Sequence, residues 1–387
     1  MGTYFSGADN SLSVYLAVTV IFGIAIFYRN RRNRAAKEFP FFCGLFLLFV
    51  FEILCFAALP VSLGLALFSL ACLIFCLCTR VPTMLPVDRK AVLITGTDCG
   101  IGHALAKYLD SLGFVVFAGV LDEKGPGAKQ LRETCSERLS VLQLDITNSK
   151  QIKEAYLEVA QKLKNADLWG LINNAGILGF AGDGELLSMS TYKQCMDVNF
   201  FGPVEVAKTF LPLLRKSKGR LINICSMAGS IPMPRFAAYG ASKAALSMFS
   251  GTLRQELSIW GIKVAVLYPS GFKTSIQGTP ELWDKEEQTL LQNLTPDVKK
   301  DYGEDYILSL KLFLSHLPFL AEADLSPVLC DVLHALLAKS PHGFYTPGKN
   351  AYKYLLISCY FPLWFFDFCM RKMLNIPGIP RALRDKK

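Results

Sequence analysis

Residues 91–102 read Ala-Val-Leu-Ile-Thr-Gly-Thr-Asp-Cys-Gly-Ile-Gly, and this stretch decides the fold of the chain. Its first four residues are apolar and predict a short buried strand, and the glycines at 96, 100 and 102 predict a tight turn. Apolar residues then recur with a helical period from Ala104 to Leu112. A strand, a glycine turn and a helix in this order bring unpaired backbone N–H groups and the positive end of a helix to one place, where a pyrophosphate can bind.

The alternation of strands and helices continues along the chain. Strands are predicted at 91–95, 114–119, 139–143, 169–173, 220–225 and 263–268, with helical stretches between them, notably at 192–215 and 239–258. This pattern predicts an α/β fold of the Rossmann type, in which a doubly wound parallel sheet is covered by helices on both faces. Ligands bind such sheets at the carboxyl ends of the strands.

A second group of residues indicates proton-transfer chemistry. Tyr239 and Lys243 occupy positions i and i+4 of a predicted helix and therefore share one face, and Ser226 precedes them in the chain. A phenol with an ordinary pKa of about 10 is a poor base at neutral pH, and we expect the neighbouring ammonium to lower the pKa of Tyr239. The Ser226 hydroxyl is expected to hold the reacting oxygen.

The N-terminal part of the chain contributes much of an apolar fraction of 52%, which is high for a soluble enzyme. Residues 11–28 carry no charge, and residues 41–78 are apolar apart from Glu52, with Pro60 dividing them into two similar stretches. We predict three transmembrane helices at roughly 11–28, 41–59 and 61–79, in a membrane anchor that covers residues 1–80. The alternative is a cleaved signal peptide followed by a buried hairpin, but no small-residue cleavage site follows the first stretch.

The net charge of +9 is concentrated beside apolar segments. The basic residues in question are Arg29, Arg31, Arg32, Arg34, Lys37, Arg371, Lys372, Arg381, Arg384, Lys386 and Lys387. This distribution suits an anionic membrane surface, and the chain has no aromatic-interleaved basic module of the kind that nucleic acid requires. A basic loop between the first two spans stays cytoplasmic, which predicts a multi-pass protein of the endoplasmic reticulum membrane with a cytosolic catalytic domain.

The 12 cysteines show no spacing typical of metal ligands. Five of them fall in the apolar stretches before residue 80, and the others are scattered. We therefore expect neither a zinc site nor a disulfide framework.

These motifs resemble those of the short-chain dehydrogenase/reductase family in order and spacing. The shared elements are the glycine turn at 95–102, Asn173-Asn174-Ala175-Gly176, Asn199, Ser226 and Tyr239-x-x-x-Lys243, and the resemblance covers about residues 88–345. It implies a nicotinamide-dependent dehydrogenase domain at 81–345 whose catalytic residues are Tyr239, Lys243, Ser226 and Asn199. In this reading Asn199 keeps a water in place that links Lys243 to bulk solvent.

The resemblance and the glycine turn together imply a set of cofactor contacts. The predicted cofactor-binding residues are Thr95, Gly96, Gly100, Ile101, Gly102, Asp122, Asp145, Asn173, Ala175, Gly176, Tyr239, Lys243, Pro269 and Thr274. Asp145 would accept from the adenine amino group, and residues 173–176 would steady the central strand and the nicotinamide ribose. The loop at 269–274 would receive the carboxamide, although Ser270 replaces the first glycine of the family's pattern.

Acidic residues after the second predicted strand favour NAD over NADP. Asp122 and Glu123 follow the strand directly, and a carboxylate in this region accepts from the ribose hydroxyls and repels a 2′-phosphate. Either of the two could make the ribose contact, because both lie slightly past the position that is usual in the family. Lys124 is the feature that could still allow NADP to bind.

The substrate is expected to be a rigid apolar alcohol whose oxygen lies between Ser226 and Tyr239. The residues that could line its pocket, or could equally be ordinary core, are Ile177, Leu178, Phe180, Met227, Ile231, Met233, Phe236, Trp283, Leu290 and Phe313. Stretches at 113–121, 198–202, 210–220 and 338–341 are most similar to family members that oxidise 17-beta-hydroxysteroids. Oxidation of retinol or of an 11-hydroxysteroid is the nearest alternative, and a membrane-tethered nucleotide-binding scaffold without catalysis is the third.

The C-terminal residues form an aromatic and basic segment. The stretch 351–369 contains Pro362 and Asp367 among many aromatic residues, which is more typical of an interfacial segment than of a fourth span. We predict a membrane-associated tail at 346–387. By analogy with the family, a homodimer formed through the helices near 192–215 and 239–258 is also expected.

Overall fold

The computed structural model describes residues 5–30, 39–78, 83–163, 166–374 and 378–384. The chain forms two compact units, Met1–Thr83 and Met84–Lys387. The first unit contains the helices α1 (Phe5–Asn30), α2 (Phe39–Ala58) and α3 (Val61–Cys78). Inside this unit Tyr15 is buried against Phe68, and the Thr19 hydroxyl donates to the carboxylate of Glu52.

The predicted transmembrane stretches coincide with these three helices. Within the described residues, however, no helix is both long enough and apolar enough to cross a membrane. Residues 31–38 of the basic loop lie outside the described residues. Membrane anchoring is taken up below as a proposal.

The second unit is built on a sheet of seven parallel strands in the order β3-β2-β1-β4-β5-β6-β7. The strands are β1 (Lys90–Thr95), β2 (Val115–Val120), β3 (Leu139–Gln143), β4 (Asp167–Asn173), β5 (Arg220–Ile224), β6 (Lys263–Leu267) and β7 (Phe344–Tyr345). The helices are α4 (Gly100–Ser111), α5 (Pro126–Thr134), α6 (Ser149–Lys162), α7 (Met189–Met196), α8 (Gly202–Ser217), α9 (Ala237–Glu256), α10 (Pro280–Asn293), α11 (Pro296–Tyr302), α12 (Glu304–Leu320), α13 (Ser326–Leu337), α14 (Ala351–Tyr360), α15 (Leu363–Leu374) and α16 (Arg381–Arg384). This is the predicted Rossmann-type α/β architecture.

The apolar run of β1 is buried because both faces of the sheet are covered. Val92 and Ile94 pack against α4, α5 and α13 on one face, whereas Ala91 and Leu93 pack against α6 and α8 on the other. A strand alternates its side chains between the two faces, so a strand that is buried on both sides must be apolar at every position. The glycine turn is thereby held at the carboxyl end of a fully buried central strand.

All six predicted strands are confirmed to within two residues at each end. The seventh strand, β7, was not predicted, because two residues are too few to show any periodicity. The predicted helix at 192–215 is interrupted: α7 and α8 are separated by a π-helical turn at Asp197–Phe201, which contains Asn199. Such turns are frequent at functional sites.

The C-terminal segment belongs to the second compact unit. Phe366 and Met370 of α15 are buried against Met227 and Ile231, which follow Ser226 in the chain. Apolar residues on one face of α15 therefore pack into the catalytic unit, while Trp364 on the same helix is 71% exposed. Association of this segment with a membrane stays a prediction.

The packing of α13 on β7 generates a prediction about pH. His334 is half-buried beside His342, with the two rings stacked at 5.0 Å, and its Nδ1 atom forms a hydrogen bond of 2.8 Å with the Tyr345 hydroxyl. Burial, with a smaller contribution from His342, lowers the pKa of His334 to about 4. The folded state favours neutral His334, so the contribution of this residue to the free energy of unfolding is complete above pH ~6.5. This contribution is lost as the pH falls from there to 4, which lowers the free energy of unfolding by about 1–2 kcal/mol after solvent screening.

We expect His334→Gln to make the free energy of unfolding less dependent on pH between about 6.5 and 4. Thermal or denaturant unfolding across this range, compared with wild type, measures the effect. His316→Gln, at an exposed position of α12, serves as the matched control. An equal slope in wild type and His334→Gln would contradict the assignment.

Candidate active site

The glycine turn between β1 and α4 forms a cradle that no larger residue could line. Gly96 has a φ of +67°, and a Cβ atom there would lie 2.7 Å from the Cα of Ala175. A Cβ at Gly102 would lie 2.2 Å from the Gly96 carbonyl oxygen. At the start of α4, the N-cap residue Cys99 makes no side-chain capping hydrogen bond, so its side chain does not occupy the first-turn N–H groups. This geometry fits the pyrophosphate of a dinucleotide.

Thr95 and Asn174 lock the glycine turn to the turn that follows β4. The Thr95 hydroxyl oxygen accepts from the backbone N–H groups of Asn174 and Ala175, both at 3.1 Å. The Asn174 amide donates in return to the carbonyl oxygens of Thr95 and Gly96, both at 3.0 Å. Asn174 was absent from the predicted site residues, although its place inside the Asn-Asn-Ala-Gly run marked it. The predicted residues Thr95, Gly96, Ala175 and Gly176 are thus brought together.

Asn173 points away from this turn, into the sheet. It is 2% exposed, and its Nδ2 atom donates to Asn223 Oδ1 at 2.8 Å and to the Pro203 carbonyl oxygen at 3.3 Å. Asn223 in turn donates to the Ser250 hydroxyl at 2.6 Å. The side chain of Asn173 therefore links β4 to β5 and α8, and its predicted role beside the nicotinamide ribose stays a prediction.

The predicted acids lie in two turns at the carboxyl ends of β2 and β3. Asp122 and Glu123 are exposed, and Asp122 Oδ1 accepts from the backbone N–H of Lys124 at 2.9 Å. Asp145 is half-buried, and its Oδ1 atom accepts from the backbone N–H and the hydroxyl of Thr147. Asp122 and Asp145 therefore each cap their own turn through one carboxylate oxygen.

Ser226, Tyr239 and Lys243 meet at the carboxyl end of β5, as predicted. Tyr239 is 9% exposed and its phenol is hydrogen-bonded to Ser226. Lys243 is 2% exposed; its Nζ atom lies 5.9 Å from the centre of the Tyr239 ring and donates to the Ile224 carbonyl oxygen at 2.9 Å. A hydroxyl pair and an ammonium thus lie together in a site from which water is largely excluded.

The predicted direction of the Tyr239 pKa shift is wrong for this arrangement. Burial raises the pKa of Tyr239 to about 12, and the hydrogen bond with Ser226 only partly opposes that rise. Burial also lowers the pKa of Lys243, against the smaller effect of the Cys225 and Cys195 thiols. The prediction considered only the attraction between the Lys243 ammonium and an ionised Tyr239 on the same helix face. Desolvation outweighs that attraction, because both side chains lie inside the protein.

Asn199 connects the catalytic helix α9 to the turn after β4. Its Oδ1 atom accepts from the Ile177 N–H at 2.8 Å, and its Nδ2 atom donates to the Ile177 carbonyl oxygen at 2.8 Å and to the Ser242 hydroxyl at 2.9 Å. Ser242 then donates to the Tyr239 carbonyl oxygen at 2.7 Å. Ser242, which was not predicted, therefore links the Asn199 amide to the backbone of Tyr239. The water relay stays a prediction, since the carboxamide is engaged by these protein groups.

The loop after β6 reaches the glycine turn from the opposite side. A Cβ at Gly100 would lie 3.1 Å from the Cβ of Thr274, and the Ser275 hydroxyl donates to the Cys99 sulfur at 2.7 Å. The backbone N–H of Ser270 donates to the Pro347 carbonyl oxygen at 3.0 Å, which ties the loop to the segment after β7. The predicted residues Pro269 and Thr274 therefore belong to a loop that closes over the cradle.

Most of the predicted pocket residues are packed in buried clusters, one of which contains Tyr239. Phe236 contacts Tyr239 at 6.5 Å and Phe313 at 6.1 Å between ring centres. Leu178 packs directly against Tyr239, while Phe180, Trp283, Leu290 and Phe313 form a buried cluster with α12. Their role in substrate binding stays a prediction.

Arg235 is a buried residue of this region that the sequence reasoning missed. It is 3% exposed, has a φ of +71°, and lies over the Phe313 ring at 4.9 Å and the Tyr306 ring at 5.8 Å. The Tyr306 hydroxyl donates to Asp183 Oδ2 at 2.7 Å. A buried arginine is unusual, but nothing in the sequence around Arg235 distinguishes it from an exposed loop residue.

The match to a known family is direct. Residues 90–285 match the model of the short chain dehydrogenase family. The chain belongs to that family. It is 57% identical over 331 residues to human 17-beta-hydroxysteroid dehydrogenase type 2, covering 85% of this chain and 86% of the relative. It is 43% identical over 303 residues to 11-beta-hydroxysteroid dehydrogenase type 2 of Oryctolagus cuniculus, covering 78% of this chain and 75% of the relative.

A solved structure agrees in fold. A short chain dehydrogenase/reductase from Burkholderia phymatum, crystallised in complex with NAD, superposes with a TM-score of 0.59 at 21% identity. The match covers 71% of this chain and 94% of that protein. The fold of the dehydrogenase domain is therefore that of the family.

The contacts of Asn199 generate a prediction about turnover. We expect Asn199→Ala to lower kcat for alcohol oxidation by about 10–100-fold, because Ile177 and Ser242 lose the group that fixes the turn beside Lys243. Steady-state kinetics with saturating cofactor measures the change. Asn293→Ala, at an exposed position of α10, is the control, because it removes a side-chain amide outside the site. A wild-type kcat in the Asn199→Ala enzyme would show that the clamp is dispensable.

Proposed function

We propose that the chain catalyses the NAD-dependent oxidation of 17-beta-hydroxysteroids, such as estradiol and testosterone, to 17-ketosteroids. It is similar to proteins named 17-beta-hydroxysteroid dehydrogenase type 2 and estradiol 17-beta-dehydrogenase 2. The observation that carries this proposal is the buried group of Ser226, Tyr239 and Lys243 beside the glycine cradle. The human relative that matches most of the chain bears the corresponding name. In a hormone-responsive tissue, this reaction would inactivate the hormone.

The three side chains divide the work of removing a proton from the alcohol. The substrate oxygen would lie between the hydroxyls of Ser226 and Tyr239, and deprotonated Tyr239 would accept the hydroxyl proton. Because burial raises the pKa of Tyr239, its ionised form depends on nearby positive charge, and the ammonium of Lys243 lies on the face of its ring. When bound, NAD supplies the acceptor for the hydride that leaves the same carbon.

The choice of NAD over NADP is supported by the acids at the end of β2. Asp122 and Glu123 are exposed there, and their carboxylates would repel the phosphate that distinguishes NADP. The backbone N–H of Lys124 donates to Asp122 Oδ1, and this hydrogen bond fixes the turn that carries the acid. These groups support a dinucleotide whose adenosine ribose carries no phosphate.

A second substrate class has its own support. The relative from Oryctolagus cuniculus is an 11-beta-hydroxysteroid dehydrogenase, and the chemistry required of Ser226 and Tyr239 is the same for any secondary alcohol. An 11-beta-hydroxysteroid, or retinol, is therefore the alternative substrate. The packed residues around Phe236 and Phe313 decide between these ligands by shape.

We expect microsomes that express the full chain to form NADH rapidly with estradiol and testosterone, and slowly with corticosterone and retinol. The reason is that the hydroxyl pair must meet the 17-beta oxygen of a ligand whose rings fit the apolar side of Tyr239. Initial rates with NAD and with NADP give kcat/KM for each pair. Tyr239→Phe is the matched control, which retains the ring but removes the proton acceptor.

Preference for corticosterone or retinol would move the chain to the alternative substrate class. A higher kcat/KM with NADP would overturn the cofactor assignment. Undiminished turnover by Tyr239→Phe would refute the role of the phenol, and silence on all four substrates would favour a non-catalytic scaffold.

We infer further that the chain is anchored in the endoplasmic reticulum membrane with its catalytic unit in the cytosol. This is supported by the uncharged stretch 11–28 and by the stretch 41–78, whose single acid, Glu52, is hydrogen-bonded to Thr19. The exposed Trp364 and Phe368 of α15, followed by Arg371 and Lys372, suit the interface of an anionic leaflet.

We expect the full chain to stay in the membrane pellet after alkaline carbonate extraction of microsomes. Protease added to intact microsomes should cleave the catalytic unit, because it would face the medium. A lumenal marker protein, shielded until detergent is added, controls for vesicle integrity. Release by carbonate would rule out spanning helices, and protection of the catalytic unit would reverse the topology.

A further inference from the structure

The acid in the middle of the glycine turn, Asp98, reaches across to the end of β2. Both of its carboxylate oxygens accept from the Leu121 N–H at 3.0 Å, and Oδ1 also accepts from the Asp122 N–H at 3.3 Å. These two N–H groups are the first backbone donors after the strand. Asp98 therefore occupies the donors that would otherwise be presented at the carboxyl end of β2.

The position of this carboxylate is fixed by the packing behind it. The start of α5 lies directly against Asp98, since a Cβ at Gly127 would be 2.0 Å from the Asp98 carbonyl oxygen. The loop that Asp98 holds is tied at further points: Gln143 accepts from the Glu123 N–H at 3.0 Å and donates to the Leu121 carbonyl oxygen at 2.6 Å. A charge held by a backbone that is constrained on both sides cannot move aside for a second anion.

The fold places this charge where cofactor choice is made. In a sheet of this type the adenosine ribose binds near the ends of the first two strands, which Asp98 bridges. A phosphate on that ribose would carry up to two negative charges and would need backbone or basic donors. Here the N–H groups of Leu121 and Asp122 are taken by a carboxylate, which also adds a charge of the same sign.

We propose that Asp98 is a cofactor-specificity residue, which excludes a 2′-phosphorylated dinucleotide by occupying the backbone donors after β2 and by its negative charge. The proposal deepens the proposed NAD dependence and rests on it. It assigns the discrimination to the glycine turn in addition to the exposed acids after the strand. Asp122 differs from Asp98 in that its Oδ1 atom caps the neighbouring N–H of Lys124 on the exposed surface.

The test measures binding of two adenosine fragments to the full chain in detergent, without turnover. The probes are ADP-ribose and 2′-phospho-ADP-ribose, titrated by calorimetry into wild type, Asp98→Asn and Asp122→Asn. Asp98→Asn keeps an oxygen that can accept from the Leu121 N–H but removes the charge. We expect it to change the ratio of the two Kd values about tenfold or more in favour of the phosphorylated probe, and ADP-ribose binding by less than about threefold.

A ratio in Asp98→Asn that stays within about threefold of wild type would overturn the proposal, as would a larger shift in Asp122→Asn than in Asp98→Asn. If Asp98→Asn does not fold, Asp98→Ser supplies a shorter neutral acceptor for the same comparison. Wild-type protein that binds both probes equally would refute the NAD assignment itself, together with this proposal. Wild-type selectivity with an unchanged Asp98→Asn ratio would refute Asp98 alone.

Discussion

The turns after β1 and β4 approach each other closely, and the rest of the site depends on this backbone contact. Gly96 and Ala175 come so near each other that a methyl group at Gly96 would lie 2.7 Å from the Ala175 backbone. Thr95 and Asn174 hold this contact with hydrogen bonds in both directions. A cradle for phosphates is thus joined rigidly to the turn that leads to the reacting groups.

The second half of this connection passes through Gly176. A Cβ there would lie 3.0 Å from Asn199 Oδ1 and 3.1 Å from Lys243 Nζ, so the glycine allows the amide and the ammonium to reach the turn. Asn199 then holds Ile177 on one side and Ser242 on the other. Cofactor cradle, positioning amide and catalytic helix are therefore one mechanically continuous unit, in which a shift of either turn would misplace Tyr239.

The charge state of the catalytic group follows from the same close packing. Tyr239 and Lys243 lie in a region that also buries the Cys225 and Cys195 thiols, whose pKa values burial raises to about 12 and about 11. Desolvation thus disfavours every charged form in this region. An ionised phenol at neutral pH therefore requires nearby positive charge, and Lys243 is the ammonium that lies over the Tyr239 ring.

The sequence predicted those parts of the fold and the site that have a local residue pattern, and it did not predict contacts between distant segments. The run 91–102 predicted the strand, turn and helix, because each has its own residue pattern, and the i and i+4 spacing placed Tyr239 with Lys243. The bridge from Asp98 to Leu121 was not predictable, since it joins two segments through backbone donors that carry no sequence signal. The sign of the Tyr239 shift was missed because burial is set by the surrounding elements.

The C-terminal segment extends this dependence to the substrate side of the site. Phe366 and Met370 bury one face of α15 against Met227 and Ile231, so the helix holds the residues that follow the catalytic Ser226. The opposite face exposes Trp364 and other large apolar side chains. A helix with one face in the active-site wall and the other suited to lipid would transmit contact with a bilayer to the place where an apolar alcohol must enter. Because the buried face of α15 packs against the residues that follow Ser226, we expect substitutions on its exposed face to affect the KM for the steroid more than the KM for the dinucleotide.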